Sequence, residues 1–236
     1  MSGVSFGEPF FDRLILHLDG THAGPMNMAV DQAWLEHSTI PVLRIYTWDQ
    51  PTVTLGYAQS LPKLKDALPG WPVVRRWTGG GVVLHQEDYT YSVIVPPADP
   101  WSETTALESY RRIHGSLAEA LSQNGHPGCR LALQEDVIEA PFCFVAPAVH
   151  DVIRGPVKVA GAGQRRGKLG LLHQGSVQQV ILKPEFWTQW ATRLAKEVLT
   201  VDTAPEPVMA RAAELEQKRY ALPEWLAERD DHLPRV

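Results

Sequence analysis

Arg75-Arg76-Trp77-Thr78-Gly79-Gly80-Gly81-Val82-Val83-Leu84-His85 is the stretch whose reading decides the fold. It follows Val73-Val74 and runs into Val82-Val83-Leu84. Apolar β-branched pairs on either side of three glycines read as strand, turn, strand. Without Cβ atoms, the turn can adopt positive φ and let a ligand lie against its backbone. Successive N–H groups in such a turn converge on an anion or a carbonyl oxygen. Two arginines enter the turn and one histidine leaves it. The bland alternative is a tight hairpin with solvated arginines.

A second glycine-bearing stretch lies downstream. It contains Lys158-Val159-Ala160-Gly161-Ala162-Gly163-Gln164-Arg165-Arg166 and then Leu172-His173-Gln174-Gly175-Ser176, with Cys143-Phe144 ahead of it. Taken with Tyr91-Ser92, these stretches resemble the biotin/lipoate ligase superfamily, in its lipoate–protein ligase and octanoyltransferase branch. Asn27-Met28-Ala29 with Asp31 resembles the family's first helix. Arg44-Ile45-Tyr46 and Pro51-Thr52-Val53-Thr54-Leu55-Gly56 resemble its next two strands. The ordered set covers about residues 14–195.

The composition suits a globular enzyme. The 236 residues are 44% hydrophobic and 21% charged, enough for one sizeable core. A net charge of −5, from 22 basic and 27 acidic residues, disfavours a nucleic-acid footprint. Arg75, Arg76, Arg165, Arg166 and Lys168 form a candidate basic patch for an acidic partner; the alternative is that they are separate solvated charges. The two cysteines, Cys129 and Cys143, make no disulfide framework and no metal-ligand spacing. No apolar run approaches a membrane span, and no secretory leader is expected, so the expected setting is a reducing cytoplasm.

Periodicity places strands at residues 14–18, 43–48, 52–55 and 90–95. Met26, Val30, Ala33 and Trp34 mark an early helix. Leu107, Tyr110, Ile113, Leu117 and Leu121 mark a second helix, ended by Asn124-Gly125. A short strand is expected near 131–133. Gly155-Pro156 predicts a hairpin between 152–153 and 157–159. Phe186, Trp190 and Leu194 predict a helix reaching toward Val198. The fold class is α+β: a mixed β-sheet flanked by helices, a class II biotin/lipoate ligase-like catalytic domain. Residues 1–200 are expected as the catalytic domain, and 201–236 as a helical tail without a separate accessory domain.

Cys143 is the candidate nucleophile, because a thiolate near a cation can take an acyl group as a thioester. Lys158, His150 and His173 are the candidate cations. The alternative is a buried structural cysteine between phenylalanines. The resemblance favours the nucleophile, since Cys143-Phe144-Val145-Ala146-Pro147 matches the Cys-Phe-x-x-Pro context of a cysteine-dependent octanoyltransferase branch. Ala148 and His150 depart from that branch's Ser and Tyr. Lys158 is the candidate oxyanion stabiliser. By resemblance, Gly79, Gly80 and Gly81 wall the acyl chain, and Arg75 binds a carboxylate or phosphate with its fork. Tyr91, Gly161 and Ala162 join the substrate-binding set. His85 and His173 either orient these groups or are satisfied core histidines.

The resemblance implies transfer of an octanoyl group from acyl carrier protein, through Cys143, to a lysine of a lipoyl domain or a glycine-cleavage H-type protein. That route requires no metal, ATP or other cofactor. An ATP- and Mg²⁺-dependent lipoate–protein ligase is the first alternative, and Ala162, where ligases often carry Asn, weighs against it. A non-catalytic module that binds lipoyl domains or carrier protein is the second. A monomer without nucleic-acid or membrane partners is expected.

Overall fold

The computed structural model describes residues 8–137 and 146–234. The strands are β1 (Phe11–His22), β2 (Val42–Trp48), β3 (Thr52–Leu55), β4 (Val73–Arg75), β5 (Val83–His85), β6 (Tyr89–Val95), β7 (Cys129–Leu131), β8 (Val152–Arg154), β9 (Val157–Gly167), β10 (Gly170–Val177) and β11 (Ala195–Val201). The helices are α1 (Gly24–His37), α2 (Leu61–Leu64), α3 (Ala106–Gln123), α4 (Phe186–Leu194), α5 (Glu206–Leu215) and α6 (Pro223–Glu228). Among the described residues, eight strands make a mixed sheet in the order β11-β1-β2-β6-β10-β9-β8-β7. The β11–β1 and β1–β2 pairs are parallel and the others antiparallel.

Strand alternation sends successive side chains to opposite faces, and each face carries its own core. On one face Leu43, Tyr91 and Val93 pack with Ile113, Leu117 and Leu121 of α3 and Phe186, Trp190 and Leu194 of α4. On the other, Val42, Tyr46, Ile94 and Leu172 pack with α1, α5 and α6. Helix α1 is apolar on two sides because it is sandwiched: Met28, Ala29, Val30, Ala33, Trp34 and Leu35 are all buried. Leu107, expected on the buried face of α3, is instead exposed. It precedes Ile113 by six residues, which at about 100° per residue turns it about 120° off that face.

Two local expectations are corrected, and the hairpin alternative at the triple glycine does not form. The strands flanking the triple glycine do not pair with each other. Both pair with β3, β4 in parallel and β5 antiparallel, as a three-stranded sheet β4-β3-β5. The helix from Phe186 stops at Leu194, and Ala195–Val201 is the edge strand β11 in register with β1. Val198, Thr200 and Val201 favour the strand, and the edge beside β1 supplies its hydrogen-bond partner. The strand expected near 131–133 is β7, two residues earlier.

The helical stretches after β11, within residues 206–228, enter the core. Val208, Ala212, Leu215, Tyr220 and Trp225 are buried against α1 and its neighbours.

Candidate active site

A cavity of about 540 Å³ lies between the main sheet and the glycine turn. Lys158, Gly161, Ala162 and Gly163 of β9 form one wall, and Gln174, Gly175 and Ser176 of β10 continue it. Gly80, Gly81, Arg76 and Thr54 face them. Trp48, His85 and Thr90 also line it, and Ala146, Pro147, Ala148 and Asp151 come from the stretch before β8. Its volume falls in the range of about 300–1,000 Å³ usual for small-molecule sites.

The glycine turn is held by close backbone approach. Gly80 has φ of 91°, a conformation that L side chains rarely adopt. A Cβ on Gly56 would sit 1.8 Å from the Gly80 carbonyl oxygen, and one on Gly163 would sit 2.3 Å from that of Gly79. The turn is therefore wedged between the end of β3 and the middle of β9. Arg76 donates to the carbonyls of Gly79 (3.1 Å) and Gly81 (2.8 Å) and to the Thr54 hydroxyl (2.5 Å). The Thr78 hydroxyl donates to Gln174 (2.7 Å), whose amide donates to Asp31 (2.7 Å). Asp31 also accepts from Arg44 and Ser92, so the turn is tied to α1 and to the sheet. Gly163→Ala is expected to lower stability by about 1–3 kcal/mol through overpacking, whereas Gly167→Ala, with nothing within 4 Å of its added Cβ, stays near wild type in thermal unfolding.

Arg75, expected to bind substrate, does not line the cavity. Its guanidinium donates to the carbonyls of Tyr57, Gln59, Trp225 and Leu226, at 2.5 to 3.1 Å. It clamps α6 to the loop after β3. Successive residues at the end of β4 and just beyond it point to opposite sides of the extended chain, and Arg76 is the one that lines the cavity. The same alternation splits the candidate basic patch. Arg165 stacks 4.0 Å over Trp77, while Arg166 bonds Ser102 and Ser109 on the α3 side.

Tyr91 and His173 also lie off the cavity, in the core under α3 and α4. Tyr91 packs edge-on against Trp190 and lies beneath Gly175, where a Cβ would come within 2.2 Å of its ring. His173 accepts from the Gln164 amide at its Nδ1 (2.9 Å) and is fully buried. Burial, then the nearby His114 and Arg166, push its pKa well below the ordinary histidine value. It is a satisfied core histidine. His85 does line the cavity, bridging the Thr54 hydroxyl (2.9 Å) and Asp88 (2.7 Å) under a stacked Trp48. Asp88 also accepts from Thr90 and Ser176, so one buried carboxylate holds three cavity-lining side chains. Burial pushes its pKa up, but His85 and the two hydroxyls outweigh this and hold it below the usual aspartate value. Sequence reading missed Asp88; the His85-x-x-Asp88 spacing was its signal.

Lys158 reaches back over Gly161 to pair with Asp151 at 2.8 Å. His150 has φ of 71° and its carbonyl accepts from His114 Nδ1 (2.7 Å). Cys143, the candidate nucleophile, lies outside the described residues, and both Ala146 and Ala148, which follow it, line the cavity. No group of three His, Cys, Asp or Glu side chains suited to a metal occurs among the described residues. No helix among them is long and apolar enough to cross a membrane.

Residues 24–217 match the family model of the lipoyl protein ligase A/B catalytic domain. The chain belongs to this family. Octanoyltransferase LipM of Staphylococcus epidermidis is 36% identical over 170 residues, 66% of this chain and 62% of that protein. Octanoyltransferase LipM of Staphylococcus aureus is 37% identical over 172 residues, with the same two shares. The matched region thus spans less than two thirds of these relatives. The fold is shared with a lipoate-protein ligase A bound with ATP, at a TM-score of 0.68 and 21% identity, covering 93% of this chain and 100% of that one. It is also shared with a bi-partite lipoate protein ligase from Thermoplasma acidophilum, at 0.63 and 21%, covering 96% and 99%. The α+β, mixed-sheet expectation is borne out.

Proposed function

We propose that this lipoyl protein ligase family member is an octanoyltransferase that moves an octanoyl group from acyl carrier protein to a lysine of a lipoyl domain or an H-type protein. The observation that carries the reading is the cavity itself. It is lined by the glycines of the turn and of β9, by Trp48 and His85, and by Lys158. The family membership and the octanoyltransferase relatives support it.

In this reading the Cys143 thiolate attacks the octanoyl carbonyl carbon, and the carbon–sulfur bond to the carrier breaks. The carrier leaves as a thiolate and takes a proton from solvent. The acceptor lysine amine then attacks the Cys143 thioester, forms the amide and loses a proton as Cys143 departs. Lys158 stands beside the oxyanion that develops in both steps. Gly80, Gly81, Gly161 and Ala162 let the chain lie against backbone, and Arg76 keeps the glycine turn in shape. The route requires neither ATP nor a metal.

Intact mass after incubation with octanoyl-carrier protein tests this. One octanoyl mass should appear without ATP and be removed by hydroxylamine, which cleaves thioesters and spares amides. Cys143→Ala should lose the adduct and the transfer, while replacement of Cys129 should keep both. An ATP-dependent ligase would instead need ATP and keep its activity in Cys143→Ala. Tight carrier binding without any transfer would point to a binding module.

A further inference from the structure

We propose that Asp151 is a positioning residue for Lys158, which seats the ammonium over Gly161 and couples it to the stem of the segment that carries Cys143; this rests on the acyl-transfer reading above. Both side chains are only 7% exposed and both line the cavity. One carboxylate oxygen, Oδ2, takes Lys158 Nζ at 2.8 Å and the backbone N–H of Ala148 at 2.7 Å. Lys158 Nζ also lies 3.5 Å from the Ala146 carbonyl. The ammonium and the chain at 146–148 therefore share one anchor.

Gly161 completes the seat. A Cβ there would lie 2.6 Å from Lys158 Cε, 2.8 Å from Nζ and 3.1 Å from Asp151 Oδ1. The ion pair lies flat on a position that only glycine leaves open. A lysine side chain has many rotamers, so an unanchored one would spread over several positions. The turn that presents Asp151 stands on backbone bonds: Ala132 N–H to Asp151 O (2.7 Å), His150 N–H to Ala132 O (2.9 Å) and Asp151 N–H to Ala148 O (3.0 Å). Its carboxylate is left to serve Lys158 and Ala148.

Asp151→Asn tests the inference, because it keeps the shape and an acceptor for Ala148 N–H but removes the charge. Its kcat for octanoyl transfer should fall about 10–100-fold with KM for octanoyl-carrier within about 2-fold, and Asp151→Glu should recover part of the loss. In a Lys158→Ala background the same change should cost less than about 3-fold, because residues acting as one unit are not additive. Losses that multiply in the double variant would overturn the proposal. A second readout needs no turnover: a short pulse of reductive methylation, followed by peptide mass analysis. An ammonium freed from its seat projects into the cavity, so Lys158 labelling should rise several-fold in Asp151→Asn. Unchanged labelling overturns the pairing. Absence of transfer by the wild-type chain overturns the acyl-transfer reading instead, and labelling still decides the pairing.

Discussion

Lys158→Ala is expected to slow octanoyl transfer by about 10²–10³ in kcat, the usual cost of removing one oxyanion-stabilising group. Thioester attack places negative charge on the carbonyl oxygen, and a fixed cation favours that state over the ground state. The fold should survive. A sealed ion pair that loses one partner is strongly destabilised, but Asp151 lines an accessible cavity, so water can replace the ammonium, and it still accepts from Ala148. Lys158→Arg should restore only part of the rate, because a planar guanidinium cannot occupy the compact seat over Gly161. Single-turnover transfer, with thermal unfolding as the fold control, measures both variants. Turnover near wild type in a folded Lys158→Ala protein would remove Lys158 from the mechanism.

The second large effect falls on stability. Arg75→Met should lower stability by about 3 kcal/mol, a drop of about 6–12 °C in unfolding midpoint for a chain of this size. The variant removes the guanidinium donor from the part-buried carbonyls of Tyr57, Gln59 and Leu226, and from that of Trp225, which keeps the Arg229 N–H. It also loosens α6, whose Trp225 indole returns a bond to the Arg75 carbonyl at 3.0 Å. Octanoyl loading per folded molecule should change little at low temperature. A normal midpoint with lost loading would return Arg75 to the substrate-binding set.

Several features were legible from the chain alone because they are local. Alternation marks β2 and β6, a three-to-four-residue period marks α3, and Gly155-Pro156 marks the β8–β9 hairpin. The triple glycine and the Lys158 stretch signalled a site, and the structure puts Gly80, Gly81, His85, Lys158, Gly161 and Ala162 around one cavity. Those signals depend on neighbours a few residues apart, which a sequence displays directly. What only the tertiary structure decided depends on partners far along the chain. β4 and β5 leave each other for β3, and Ala195–Val201 becomes a strand because β1 offers an edge. Arg75 binds carbonyls about 150 residues away, so Arg76 is the one at the cavity. Tyr91 and His173, expected at the site by resemblance, face the opposite core. Asp151 carries no motif of its own, and Asp88 only its spacing from His85. They become anchors because folding brings to each carboxylate the donors that a buried charge requires: His85, Thr90 and Ser176 for Asp88, and Lys158 and Ala148 for Asp151.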